Sequence, residues 1–118
     1  MKHIYDYLFY LSIKPSMKGF DYIVELVELA NEHGFKTMGI FAMYNEIAKI
    51  HGVSHYSVER AVRHAITSAM SRNTIIWYDE FSEITNENAL ITNKDFICGI
   101  LLKIRQGKVR LSDVTEVE

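Results

Sequence analysis

The residues with the clearest chemical potential lie between positions 56 and 64. The guanidinium groups of Arg60 and Arg63 can each donate two hydrogen bonds to a guanine, and a carboxylate such as that of Glu59 can accept one from a cytosine. On a helix that turns by about 100° per residue, Tyr56, Arg60 and Arg63 fall nearly on one side. The flanks of that side carry Glu59 and His64. Tyr56, Glu59, Arg60 and Arg63 are therefore our predicted contacts to double-stranded DNA.

A helix-turn-helix spanning Tyr44 to Arg63 would position this face. Ala48 is small where two helices would cross closely, and Gly52 stands where the turn needs a positive φ. Ser54 is the predicted N-cap of the second helix, because its side chain can accept hydrogen bonds from the first amides of that helix. We expect Val53 to fill the gap under the turn. The inward face of the second helix is predicted to consist of Val58, Ala61 and Val62.

The spacing of apolar residues along the rest of the chain predicts an all-α fold, a compact bundle of about six helices. The helices are expected at Ile4 to Ile13, Met17 to His33, Ile40 to Gly52, His55 to Arg72, Ile75 to Phe81, and Phe96 to Ile104 after a cap at Thr92 or Asn93. A polar loop is expected at Thr85 to Leu90. The segments 74–78 and 108–111 have strand-like compositions but are too short to found a sheet. We expect one domain over residues 1–106 and a flexible C-terminal extension over residues 107–118.

The net charge of −2 does not argue against a nucleic-acid ligand, because the charges are segregated along the chain. Residues 54–72 carry a net +2 and residues 94–110 a net +4, whereas residues 73–93 carry −4. No apolar run is long enough to cross a membrane, and no signal peptide is recognisable. We expect a cytoplasmic protein in which the single cysteine, Cys98, is a small buried apolar residue.

Enzymatic chemistry and metal binding are not supported by the sequence. His51 and His55 are four residues apart but lie on either side of Gly52, so they do not share one helical face. No Ser or Cys stands in a recognisable catalytic motif, and glycine-rich phosphate loops are missing. We therefore predict a protein that is not an enzyme and that has neither a metal site nor a cofactor.

Four separated motifs resemble one known family. The sequence is similar to the C-terminal effector domain of the master sporulation response regulator, stage-zero sporulation protein A. The resemblance extends over about Ile4 to Ile104, and its motifs are Pro15 to Phe20, Tyr44 to Lys49, Ser57 to Ile66, and Ile91 to Phe96.

The resemblance implies a six-helix domain that binds short DNA boxes, often as a tandem dimer, and that contacts the RNA polymerase sigma factor. The DNA-contacting side chains of the family map onto Glu59, Arg60, Arg63 and His64. The sigma-contacting segment of the family aligns with Asn73 to Asn86, where the candidate residues are Ile75, Trp77 and Asp79.

The chain also departs from the family pattern. Tyr56 and Ser57 replace a small residue followed by an arginine, so we expect a different base preference. The chain has no room for the phosphoacceptor receiver domain of the family, so it is either a standalone effector or part of a longer protein. The alternative interpretation is a protein-interaction module that docks sigma factor or another regulator, with the helix-turn-helix as scaffold.

Overall fold

The computed structural model describes residues 1–84 and 91–112, and this part of the chain is mostly helical. Its six helices and two short strands are β1 Lys2–His3, α1 Ile4–Tyr10, α2 Lys18–His33, α3 Ile40–His51, α4 His55–Arg72, α5 Thr74–Phe81, α6 Asn93–Arg105 and β2 Val109–Arg110. The predicted all-α class and the number of helices are confirmed. The predicted loop at Thr85 to Leu90 and residues 113–118 of the predicted extension lie outside the described residues.

Most helix ends are set by local signals in the sequence. Gly34 ends α2 at a φ of 78°, and Thr92 caps α6 by accepting a hydrogen bond from the amide of Asp95 at 3.0 Å. The first helix is shorter than predicted, because Ser12 takes a φ of 69° and turns the chain after Tyr10. The two apolar residues around that turn, Leu11 and Ile13, are fully buried. The apolar residues at 11 and 13 are therefore explained by burial in the core and not by a continuation of the helix.

The core is organised around α2, which packs against α3, α4 and α6. Its closest approach to α4 is at Gly19, where an added Cβ would lie 2.4 Å from the carbonyl oxygen of Ala61. The same Cβ would lie 2.7 Å from the Cβ of Ala65. Only a glycine therefore allows α2 and α4 to cross this closely. The hydrophobic core contains fully buried side chains from five helices, among them Leu8, Ile23, Ile47, Val62 and Phe96.

The two strands join the ends of the described chain. β1 and β2 pair in parallel, with Lys2 opposite Val109, and the amide of Lys2 donates to the carbonyl of Lys108 at 3.0 Å. Val109 is buried. The strand-like composition of residues 108–111 agrees with β2, but the pairing of β2 with the N-terminus was not predicted. The other segment of strand-like composition, 74–78, is helical and belongs to α5.

Two further expectations concern exposure. Cys98 is only partly buried, which corrects the prediction of a buried cysteine; this partial burial still raises the pKa of its thiol. Among residues 1–84 and 91–112, no helix is long and apolar enough to cross a membrane.

Candidate nucleic-acid interface

The turn between α3 and α4 has the backbone that its sequence predicted. Gly52 adopts the left-handed conformation, with a φ of 66° and a ψ of 36°, and the side chain of Ser54 accepts a hydrogen bond from the amide of Ser57 at 3.1 Å. Ala48 is buried, as its predicted place between two helices requires. Val53 is 38% exposed, so the expectation that it fills the gap under the turn is wrong. Its amide instead donates to the carbonyl of Ala48 at 3.0 Å, which closes the end of α3.

One face of α4 is fixed by burial. The buried side chains recur every three or four residues along the whole helix and comprise Val58, Val62, Ala65, Ile66 and Ala69. Together with the close crossing at Gly19, they set the rotation of α4 about its axis. The opposite face must therefore point away from the core.

That opposite face carries the predicted DNA contacts. Arg60, Arg63 and His64 are exposed, and Glu59 is partly exposed. Tyr56 is 60% exposed, and its ring lies against that of His55 with 4.0 Å between the centroids. Within the described part of the chain, neither guanidinium group of Arg60 and Arg63 has an ion pair or a hydrogen bond. The structure thus brings the five side chains together on one accessible surface.

A buried amide ties this surface to the rest of the fold. Asn93, the first residue of α6, is 3% exposed, and its Nδ2 donates to the hydroxyl of Tyr44 at 3.1 Å and to the carbonyl of Glu59 at 3.2 Å. Burial raises the pKa of Tyr44, so the hydroxyl stays neutral and can accept this bond. The sequence pointed to Asn93 only as an alternative N-cap. Thr92 is the N-cap, and the sequence did not predict that the Asn93 side chain is buried and bonds to α3 and α4.

The C-terminal end of α3 is held by a second polar contact. The Nε2 of His51 lies 3.0 Å and 2.8 Å from the two carboxylate oxygens of Glu25 on α2. The ring of His51 also lies edge-on to that of Tyr22, with 5.1 Å between the centroids. This contact anchors the helix that leads into the turn, and His51 is thereby engaged within the fold. Of the residues described, no group of three or more His, Cys, Asp or Glu side chains could hold a metal ion.

The residues predicted to contact sigma factor are not equally accessible on α5. Ile75 is 75% exposed and Asp79 is also exposed, whereas Trp77 is only 2% exposed. Its ring stacks on Phe96 with 5.2 Å between the centroids, and its Nε1 donates to the carbonyl of Leu11 at 2.8 Å. Trp77 is therefore a core residue that cannot meet a partner directly, because its apolar ring faces inward from the helix.

Further polar contacts hold α5 against α1 and α6. The hydroxyl of Tyr7 donates to Glu80 at 2.6 Å, and Lys103 lies 3.4 Å from the same carboxylate. Burial and the hydrogen bond to Glu80 both raise the pKa of Tyr7, so this hydroxyl is a donor at every physiological pH. Glu80 is thus engaged in structure, and the accessible part of α5 is the side that carries Ile75 and Asp79.

The chain matches a known protein family. A family model described as "Sporulation initiation factor Spo0A C terminal" matches residues 4–104. Neither a curated protein nor a solved structure matches the chain significantly. The matched range contains all six helices except the last residue of α6.

Proposed function

Because this chain belongs to the family of Spo0A C-terminal domains, we propose that it is a sequence-specific regulator of transcription that reads double-stranded DNA with the N-terminal half of α4. The family comprises DNA-binding effector domains of transcription regulators, which are not enzymes. The finer proposal concerns which side chains read the bases. They are Tyr56, Glu59, Arg60, Arg63 and His64.

The observation that carries this proposal is a pair of arginines without hydrogen-bond or ion-pair partners, on a helix whose other face is packed against the core. Arg60 and Arg63 are exposed on α4, whose other face is buried along its length. An exposed guanidinium without an internal partner keeps all its donors for a ligand, and it can bond a guanine through two of them. A helix held this firmly also loses little conformational entropy on binding, which favours a defined register on the duplex.

The neighbouring side chains add chemistry to that pair. Glu59 can accept a hydrogen bond from cytosine, and the exposed ring of Tyr56 offers an apolar surface to a thymine methyl group. Tyr56 lies in the first turn of α4, the end of a recognition helix that usually contacts base edges. Since the family has a small residue at this position and an arginine at the next, we propose that the preferred DNA site differs from that of the family.

Selection of bound duplexes from a random library, followed by titration at several salt concentrations, tests this proposal. We expect one enriched motif and an affinity that falls steeply with salt, because each neutralised phosphate releases counterions. Replacing Arg60 or Arg63 by alanine should cost about 1–3 kcal/mol on the selected site. Lys14→Ala is the matched control, because it also removes one exposed positive charge. Lys14 follows the turn at Ser12, which contacts Arg72 at the C-terminal end of α4, away from the proposed reading half. No enriched motif would contradict the proposal.

From the family resemblance, we also propose that two copies of the domain bind side by side on DNA.

We further infer that the exposed side of α5 docks sigma factor. The docking inference is supported by Ile75 and Tyr78, which are 75% and 72% exposed, next to the acidic Asp79. Apolar groups beside a carboxylate suit a partner surface that is both apolar and basic. Replacing Ile75 and Asp79 by alanine should weaken binding to purified sigma factor and leave DNA affinity unchanged. Unchanged sigma binding would leave Ile75 and Asp79 without this role.

A further inference from the structure

We propose that Asn93 is a positioning residue for DNA recognition, which holds the reading half of α4 in the register that base contacts require. The inference rests on the proposed function, since it is the proposed reading surface that Asn93 would position. Asn93 itself is buried and has no access to a ligand. Its influence would pass through the backbone of α4.

The contacts of Asn93 join three helices at one point. From the first residue of α6, its Nδ2 reaches the hydroxyl of Tyr44 on α3 and the carbonyl of Glu59 on α4. Within the described residues, the buried polar or charged side chains are those of His3 and Asn93. Asn93, which links α3 and α4 on either side of their connecting turn, is therefore one of few polar residues in the core. A buried polar group of this kind is retained at a cost and fixes geometry when its partners are in place.

The hydrogen bond supplies a constraint that apolar packing does not. The buried face of α4 consists of valine, alanine and isoleucine side chains, whose attraction to the core is non-directional. Such packing does not tie one particular backbone atom of α4 to a neighbouring helix, as a hydrogen bond does. Asn93 fixes the axial position, because its backbone is anchored beside the Thr92 cap and its amide reaches one particular carbonyl.

That carbonyl lies next to the residues that would read DNA. It belongs to Glu59, immediately before Arg60 and four residues before Arg63. Base contacts need bidentate geometry and are lost when a side chain is displaced by a fraction of its length. Phosphate contacts tolerate such a displacement, since they depend mainly on charge. Loss of the Asn93 constraint should therefore reduce discrimination between sequences more than it reduces affinity for DNA in general.

The experiment measures the ratio of two dissociation constants for each variant, one for a duplex selected from a random library and one for a scrambled duplex of the same composition. For Asn93→Ala we expect this specificity ratio to fall by about fivefold or more, as for one misplaced bidentate base contact. A variant that is merely less stable lowers both affinities by its folded fraction and leaves the ratio unchanged. Trp77→Phe supplies that comparison, since it removes a buried donor on α5 whose acceptor, the carbonyl of Leu11, lies on neither α3 nor α4.

A second variant keeps the test decisive if Asn93→Ala folds poorly. In Asn93→Ala the hydroxyl of Tyr44 loses a buried partner, and adding Tyr44→Phe removes that stranded group. The double variant should therefore regain thermal stability, and its specificity ratio should stay low. A parental ratio in a folded Asn93→Ala or in the double variant would overturn the inference. A parent protein that does not prefer the selected duplex would instead overturn the proposed function.

Discussion

The two ends of α4 carry the same residue type in opposite circumstances. Near the start of the helix, Arg60 and Arg63 are exposed and have no bonding partner among the described residues. At its end, the guanidinium of Arg72 donates to the carbonyl of Ser12 at 2.7 Å and to the hydroxyl of Ser68. The next residue, Asn73, donates to the hydroxyl of Ser12 at 3.2 Å. At a rise of about 1.5 Å per residue, about 18 Å separates Arg60 from Arg72 along the axis.

This difference indicates a division of labour within one helix. The C-terminal end satisfies the carbonyls that the early turn after α1 leaves open, so its polar groups are used in folding. The backbone of the N-terminal half is held by the Ser54 cap and by Asn93. Its cationic side chains, Arg60 and Arg63, have no bonding partner among the described residues. The sequence shows only that α4 contains three arginines, and it does not show which of them bond within the fold and which are free to bind a ligand. The groups that face each guanidinium do.

The largest effect on folding is expected in the middle of α4, where α2 crosses it. Gly19→Ala should destabilise the fold by about 1–3 kcal/mol or more, because the new methyl group would meet the backbone carbonyl of Ala61, which cannot move aside. The higher helix propensity of alanine, worth about 1 kcal/mol, offsets only part of this cost.

Urea unfolding measures the loss at Gly19. The matched control is Gly39→Ala, since a Cβ at Gly39 would meet nothing within 4 Å, and we expect it to change stability by less than about 1 kcal/mol. If Gly19→Ala proved as stable as the parent, the crossing would not be what fixes the rotation of α4.

A smaller effect separates the two ends directly. Arg72→Ala should lower the free energy of unfolding by about 1 kcal/mol, since it removes hydrogen bonds to the turn after α1 that are only partly shielded from water. Arg60→Ala should change it by less than about 0.5 kcal/mol, as at other exposed positions without partners. The ranking of DNA affinities should be the reverse. Equal losses of stability in the two variants would remove the distinction between the ends.

Much of this architecture follows from local rules. The bounds of α4, the left-handed Gly52 and the Ser54 cap depend on residues within one or two turns of one another. The spacing of apolar residues predicted the helix, and the residue types predicted the turn and the cap. The family resemblance placed the candidate contacts on the same helix. The accessible face of α4 was predictable for the same reason, since an amphipathic pattern fixes which side is buried.

The features that were not predicted depend on contacts between distant residues. Trp77 is buried because Phe96 and the carbonyl of Leu11 meet it from two other parts of the chain. The inward turn of Asn93 depends on Tyr44 and Glu59, and the pairing of β1 with β2 joins the two ends of the described chain. A residue type and its immediate neighbours carry no information about such partners.

The most direct test of the account is the affinity of the double variant Arg60→Ala, Arg63→Ala for the selected duplex. Two lost contacts of about 1–3 kcal/mol each should weaken binding by well over tenfold and should lower the slope of log affinity against log salt if either arginine also meets a phosphate. The variant should unfold at the same urea concentration as the parent. Parental affinity in this folded double variant would contradict the assignment of DNA recognition to the N-terminal half of α4.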